Sequence, residues 1–420
     1  MLERDQQYVW HPFTPQMRGY EAIPIRSAKG VWLYPYEGEP IIDAISSWWV
    51  NLHGHANPIL NEALSKQAID LEHVIFAGFT HAPAVNLAEK ILKLFGLPQG
   101  KAFFSDNGST AVEVALKIAL QYFYNRDQPR LKIIAFEGAY HGDTFGAMSV
   151  GDRNPFNQPF FELLFEVQFL ELPTADNHLA VYEKMQAYLS TNDVAAFIFE
   201  PLVQGAAGMR MYGAEYLEVL MQMAKKSGAF CIADEVMTGF GRTGAHFASH
   251  HLTTQPDLVC LSKGLTGGYM PLGLTLVSEP IYAFFRNQDF LKTFFHGHSF
   301  TANPLACAVA LASLELLLQP QTQQAITRIT SQNQHFAQEI ASHKRVREVR
   351  TQGTILAIEL QNQHQTSYFN EERQDLYRYF LNKGVLLRPL GNVIYTIPPY
   401  CTSADELEKV FRTIRHYLDA

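Results

Sequence analysis

The chain of 420 residues is 47% hydrophobic and 18% charged, which is enough apolar material for a large core and too little charge for a disordered polyampholyte. With 41 acidic against 33 basic residues the formal charge is −8, which argues against nucleic acid or an anionic membrane surface as the main partner. The four cysteines are scattered, so neither a disulfide framework nor a cysteine-based zinc site is expected, and without an apolar leader at the start the expected setting is the cytoplasm.

Residues 1–55 are irregular and aromatic and hold all four tryptophans, Trp10, Trp32, Trp48 and Trp49. They read as an N-terminal arm that joins a smaller domain, with packing against the main body as the plain role for any one ring. Over residues 56–320 short apolar runs, each closed by a polar or glycine turn, alternate with helical patterns. The runs are Ala102–Phe104 before Ser105-Asp-Asn-Gly-Ser109, Ile133–Phe136 before Glu137-Gly-Ala-Tyr-His141, Ala195–Phe199 before Glu200, Phe230–Ala233 before Asp234, and Leu258–Leu261 before Ser262-Lys-Gly264. Near-continuous apolar strands separated by helices predict an α/β fold with a parallel sheet covered on both faces. Ligands of such sheets bind beyond the carboxyl ends of the strands, so five segments are expected to converge on one site. Residues 325–420 carry a helical stretch from Gln332 to Ser342, an alternating run Ile355 to Leu360 and an amphipathic helix from Ser403, which predicts a small α+β domain. The basic cluster Lys344, Arg345, Arg347 and Arg350 reads as a solvated face.

Asp234 and Lys263 lie 29 residues apart, the span of one strand–crossover–strand unit, so both should meet the same sheet edge. Two readings fit them: a structural ion pair, or a cofactor site. In the second, desolvation frees a neutral amine for Schiff-base chemistry and the acid holds a protonated pyridine nitrogen. Asp106-Asn-Gly-Ser-Thr110 opens the helical stretch Ala111–Leu120, with Thr110 and Glu113 at capping-box spacing. Free backbone N–H groups, a hydroxyl and the positive helix end there suit a phosphate. Lysine, acid and phosphate cradle on one edge together match pyridoxal phosphate. Tyr140 is placed to stack on a ring, while Asp143 reads equally as a ligand contact or a turn cap. The histidine pairs His53/His55, His246/His250 and His296/His298 lack a third ligand at familiar spacing, so no metal is expected.

Cys231-Ile-Ala-Asp-Glu-Val-Met-Thr-Gly-Phe-Gly-Arg-Thr-Gly244 and Leu261-Ser-Lys-Gly-Leu-Thr-Gly-Gly268, with Glu200-Pro-Leu-Val-Gln-Gly205 and Asn303-Pro-Leu-Ala-Cys307, resemble the class III pyridoxal-phosphate aminotransferases of fold type I. The resemblance implies a mostly parallel seven-stranded sheet in the large domain. It implies that Lys263 binds the cofactor and shuttles the proton, Asp234 holds the pyridinium, Gly108 and Ser109 hold the phosphate, and Tyr140 stacks on the ring and touches substrate. It also implies a homodimer in which Gly297, His298 and Ser299 reach the site of the partner subunit, His298 and Ser299 toward the cofactor and Gly297 toward the substrate. Trp10-His-Pro-Phe-Thr14, Ser46-Ser-Trp-Trp49, Tyr140-His-Gly-Asp-Thr-Phe-Gly-Ala-Met-Ser149 and Leu387-Arg-Pro-Leu-Gly-Asn392 are similar to the branch of that family that aminates 8-amino-7-oxononanoate in biotin synthesis, with S-adenosylmethionine as donor. That likeness implies that Arg388 grips the acceptor carboxylate, that Phe13 and Trp48 wall its chain, and that Arg242 is either a second carboxylate contact or a structural salt-bridge partner. Phe13 stands where a tyrosine is usual, which leaves lysine open as the donor. Two other readings are an ω-amino-acid transaminase and a non-enzymatic regulator. Trp48-Trp49 and the Arg388 turn argue against the first, and the intact Lys263 and Asp234 against the second.

Overall fold

Each of the five apolar runs becomes a strand of a single seven-stranded sheet in the computed structural model, which describes residues 1–15, 22–361 and 372–420. Across the sheet the order is Lys101–Ser105, Gly273–Val277, Leu258–Leu261, Phe230–Asp234, Val194–Phe199, Lys132–Phe136 and Gln168–Leu170. Gly273–Val277 runs antiparallel to both neighbours, and the other paired strands are parallel. Val194–Phe199 and Leu258–Leu261 are buried at every position, which is why they read as unbroken apolar runs. The remaining two strands carry weaker signals. Gln168–Leu170 is only three residues long, and Gly273–Val277 is interrupted by Thr275, whose hydroxyl is buried by donating to the Ala111 carbonyl at 2.8 Å.

The helix Gly108–Asn125 crosses this sheet and buries Val112, Ala115 and Ala119 against it. Its cap is Asn107, one turn earlier than the Thr110 and Glu113 spacing indicates. The Asn107 side chain accepts from the Thr110 N–H at 3.0 Å, and the Thr110 hydroxyl oxygen accepts from the Asn107 N–H at 3.1 Å. Glu113 is thereby free to accept from the Thr144 hydroxyl at 2.6 Å and the Ala147 N–H at 3.0 Å, tying the helix to the turn after Phe136.

The N-terminal strands Ile25–Lys29, Trp32–Pro35 and Ile41–Asp43 form an antiparallel ribbon, and Val385–Leu386 adds to it in parallel. A separate antiparallel sheet of Val346–Gln352, Ile355–Leu360 and Val393–Thr396 packs against the helix Pro320–Ile340, which also meets the helix Ala404–Asp419. Ile355–Leu360 is buried throughout and does not alternate, because Val203 and Met209 share one apolar cluster with it and with Ile329 and Phe336 of the helix. The basic cluster is likewise only partly solvated. The Arg350 side chain, 9% exposed, pairs with Glu359 at 2.8 Å and donates to the carbonyls of Gly208 and Met209. Among the described residues no single helix is long and apolar enough to cross a membrane; the bent pair Pro304–Leu317 and Pro320–Ile340 passes that test by length and composition, and much of the first helix lies in the core.

Gly353 turns the chain between two strands of the C-terminal sheet at φ +58°, and a Cβ there would collide with the Thr243–Gly244 peptide. Gly353→Ala is expected to destabilise the fold by about 3 kcal/mol, lowering the denaturation midpoint with an unchanged slope in urea unfolding.

Candidate active site

Asp234 ends its strand opposite Cys260, and Lys263 follows the neighbouring strand by two residues, so both side chains meet one edge of the sheet. Ser109, Tyr140 and Glu200 arrive from the ends of three further strands, and all five residues line one cavity of about 680 Å³. Lys263 is half-buried at a left-handed φ of +44°, with Nζ 4.5 Å from the centroid of the Trp49 ring. Among the described residues its amine has no hydrogen-bond or ion-pair partner. Desolvation lowers its pKa from 10.5 to about 8, although the negative charges of Asp234 and Glu200 pull the other way.

The two residues are therefore not a structural ion pair. The hydrogen-bond partner of Asp234 is His141, whose Nδ1 lies 2.7 Å from Oδ2, while Oδ1 accepts from the Val236 N–H at 3.0 Å. Among the described residues the buried His141 Nε2 has no hydrogen-bond partner. Glu200 accepts from the backbone N–H groups of Tyr140 at 3.2 Å and Gly205 at 2.9 Å. Burial raises its carboxyl to about 7 against the opposing pull of His141.

Elsewhere in the lining, at Gly108 and Gly142, the backbone comes close. Gly108 opens an 18-residue helix, and a Cβ there would lie 2.7 Å from Val236 Cγ1. A Cβ on Gly142 would collide with Ser109 Oγ. Ser109 Oγ lies 2.7 Å from Thr144 Oγ1 and accepts from the Thr144 N–H at 3.0 Å. Main-chain N–H groups at a helix start, hydroxyls and no intruding side chain form an anion cradle. An unpaired amine, an acid two strand ends away from that cradle and an aromatic wall fit a phosphorylated pyridine aldehyde.

Residues 15–418 match the family model described as Aminotransferase class-III. The chain belongs to the class III aminotransferases. It is 48% identical to the adenosylmethionine-8-amino-7-oxononanoate aminotransferase of Synechococcus elongatus over 420 residues, 98% of each chain. Among solved structures it resembles the adenosylmethionine-8-amino-7-oxononanoate aminotransferase of Methanocaldococcus jannaschii, with a TM-score of 0.91 and 32% identity over 99% of this chain and 98% of the other. It also resembles an amine transaminase from an uncultivated Pseudomonas species solved in its PLP-bound form, with a TM-score of 0.91 and 29% identity over 97% of both chains.

In this class III aminotransferase a second cavity of about 1310 Å³ opens beside the first, and Trp49, Tyr140, Asp143 and Lys263 line both. Its outer walls include Phe13, Trp48 and Arg388. Phe13 meets Trp48 edge-on at 5.5 Å, and the Arg388 guanidinium lies 4.4 Å over the Trp48 ring. Enclosure in the cavity, followed by the charge and hydrogen bond of Asp143, raises the Tyr140 phenol above its ordinary value. The structure thus brings Lys263, Asp234, Tyr140, Gly108 and Ser109 together, and places Phe13, Trp48 and Arg388 on the adjoining cavity. Gly297, His298 and Ser299 line neither cavity of their own chain.

Arg242 is not a carboxylate contact. It is 1% exposed and donates to the carbonyls of Pro398 at 2.8 Å and Trp49 at 3.2 Å, beneath the site rather than in it. The paired histidines have separate partners: His53 lies 3.1 Å from the Ser313 hydroxyl, and His55 lies 2.9 Å from Asp43. Glu200, Thr144 and the floor residue Trp49 are site residues to which sequence reasoning gave no role, and His141, which falls with Tyr140 at a strand end in the sequence, binds Asp234. For Glu200 a signal existed, since a carboxylate directly after six buried apolar residues is seldom there for packing.

Proposed function

We propose that the protein transfers an amino group to the ketone of 8-amino-7-oxononanoate, giving 7,8-diaminononanoate for biotin synthesis, with S-adenosylmethionine as donor and pyridoxal phosphate as cofactor. The observation that carries the chemistry is the unpaired Lys263 amine, lowered to about 8 and facing a cavity that it shares with Asp234. The named relative at 48% identity supports the substrate. When bound, pyridoxal phosphate supplies an electron sink for charge developing on the substrate carbon.

The chain's own residues do the rest. Gly108 and Ser109 would hold the phosphate by the backbone N–H groups at the helix start, in a loop braced by the bonds between Ser109 and Thr144. Asp234, fixed by His141 and the Val236 N–H, would keep a proton on the ring nitrogen. Tyr140, which lines the same cavity, would cover the ring face. Lys263 would anchor the cofactor and, as the base of the site, would take a proton from the donor carbon and give one to the acceptor carbon, a task for an amine whose pKa lies near working pH. Phe13 and Trp48 enclose the aliphatic chain, and Arg388 receives its carboxylate through a two-pronged hydrogen bond.

The proposed assembly is a homodimer in which Gly297, His298 and Ser299 of a second copy complete the site. In support, the same stretch exposes Phe290, Leu291, Phe295 and Phe300, and among the described residues the buried His298 Nε2 has no partner. The proposed setting is the cytoplasm, consistent with four free cysteines.

The deciding experiment is spectroscopic. Cofactor-loaded protein should be yellow, and S-adenosylmethionine and lysine are added separately. S-adenosylmethionine is expected to bleach the visible band and lysine to leave it; the reverse result would transfer the donor role to lysine, and bleaching by neither would remove the proposal. Arg388→Ala should lower kcat/KM for the acceptor by about 100-fold, chiefly through KM, because a charge-assisted bidentate contact and the cover over Trp48 are lost together. Steady-state kinetics with varied acceptor measures this.

A further inference from the structure

Four consecutive residues that are not glycine sit in the left-handed region: Ser46 at φ 51°, Ser47 at 44°, Trp48 at 69° and Trp49 at 74°. L side chains disfavour this conformation, and single residues rather than runs normally adopt it. A run of four persists only where the surroundings impose it. The result of the turn is functional, because it splays two successive indoles to different places. Trp49 lies under the Lys263 amine, and Trp48 lies under the Arg388 guanidinium.

The ends of the turn are tied from outside. Ser46 donates its hydroxyl to the Ile397 carbonyl at 2.7 Å. Trp49 Nε1–H donates to the Tyr395 hydroxyl at 3.0 Å, and the Trp49 carbonyl accepts from Arg242. The turn is bridged by its own backbone, with the Trp49 N–H donating to the Ile45 carbonyl at 2.8 Å and the Val50 N–H to the Ser46 carbonyl at 2.9 Å, and the outside contact of its middle at Ser47 is one carboxylate. Asp43 is fully buried; its Oδ1 accepts from the Ser47 N–H at 3.0 Å and the Ile45 N–H at 3.2 Å, and its Oδ2 accepts from the Ser47 hydroxyl at 2.6 Å. His55 Nε2 closes the set at 2.9 Å from Oδ2. Asn51 Nδ2 lies 3.1 Å from His55 Nδ1, which directs the Nε2–H toward Asp43. Burial alone would raise the Asp43 carboxyl, but the hydrogen bonds from His55 and Ser47 outweigh it and hold it below its ordinary value. Beyond this clamp, the Trp48 ring touches Phe13 and Arg388, which are themselves cavity walls.

We infer that Asp43, which lines neither cavity, is a positioning residue for the substrate wall: held by His55, it clamps the left-handed turn so that Trp48 faces the acceptor chain. The inference rests on the reading of Trp48 as an acceptor wall.

The test uses cofactor-loaded Asp43→Asn, Ser47→Ala and the double variant Asp43→Asn/Ser47→Gly. Asp43→Asn should raise KM for 8-amino-7-oxononanoate by about tenfold, with the visible cofactor spectrum and the rate of bleaching by donor changed by less than about twofold. Ser47→Ala, which removes only a hydroxyl from the clamp, should raise the same KM by about threefold. In the double variant glycine adopts the left-handed turn without help, and KM should return to within about threefold of the parent. A merely structural Asp43 would give no such rescue. Without any substrate, amide hydrogen exchange of the segment 45–50 should speed up by about tenfold in Asp43→Asn. An unchanged acceptor KM in both single variants, a KM defect that glycine does not repair, or unchanged exchange overturns the inference. If the parent itself fails to aminate 8-amino-7-oxononanoate, the proposed substrate falls, and the exchange measurement still decides the role of Asp43.

Discussion

Lys263→Ala is expected to lower kcat for amino transfer by at least about 10⁴-fold, because one side chain supplies both the covalent anchor and the proton carrier. No neighbour is placed to take over. The Tyr140 phenol is pushed up and stays protonated, Glu200 is committed to two backbone N–H groups, and His141 is bound to Asp234. The cofactor-free variant should nevertheless fold and melt no lower than the parent. The parent buries an amine without a partner, and its pKa falls from 10.5 in the open chain to about 8 in the fold. A base whose folded pKa is depressed weakens the fold most where it is protonated in both states, and the penalty vanishes once both states are neutral. The stability gained by Lys263→Ala should therefore be full below about pH 8 and fade toward pH 10.5. Thermal melts of the two cofactor-free proteins across that range check the sign, and a variant that melts well below the parent at pH 7 would mean the lysine is structural. In the parent, capture of added cofactor should accelerate as pH rises through about 8, where the amine becomes neutral.

Much of this site was legible before any coordinates, for a physical reason. A strand buried on both faces has little choice but an unbroken apolar run, so Phe230–Ala233 and Leu258–Leu261 announce themselves, and a charged residue directly after such a run marks a site at the sheet edge. Asp234 is of that kind, and Lys263 follows its run with one serine between. What stayed hidden depends on contacts between distant segments. Arg350 reads as one more solvated cation until Glu359 and the Gly208 and Met209 carbonyls surround it. The helix cap falls on Asn107 rather than at the Thr110 spacing, and Glu113, the residue that spacing would use, instead accepts from Thr144, 31 residues away. The left-handed turn at Ser46–Trp49 contains no glycine to betray it, and its cause, Asp43 with His55, lies outside the turn itself. Arg242 sits in the strongest family motif of the chain, yet its partners are backbone carbonyls that no local pattern announces.

Asp234→Asn is expected to lower kcat by about 10³-fold, and its pH behaviour separates this loss from damage to the fold. Asparagine is nearly the same shape, and its amide oxygen still accepts from the Val236 N–H that binds Oδ1 in the parent. It lacks the negative charge that keeps a proton on a ring nitrogen, and with that proton gone the electron sink weakens at every step. The substitution acts on Lys263 as well. Asp234 is the largest influence holding the Lys263 pKa up against desolvation, so its neutralisation should carry the amine below about 8. Turnover and cofactor capture then move apart: the variant turns over far more slowly, while the pH at which the cofactor-free protein begins to capture pyridoxal phosphate shifts downward. Misfolding would slow both and shift neither midpoint. Single-turnover absorbance changes and capture rates between pH 6 and 10 give the two readouts on one preparation. A capture midpoint that stays at the parent value would show that Asp234 does not face the lysine across a shared ligand, and the role proposed for the pair would fail with it.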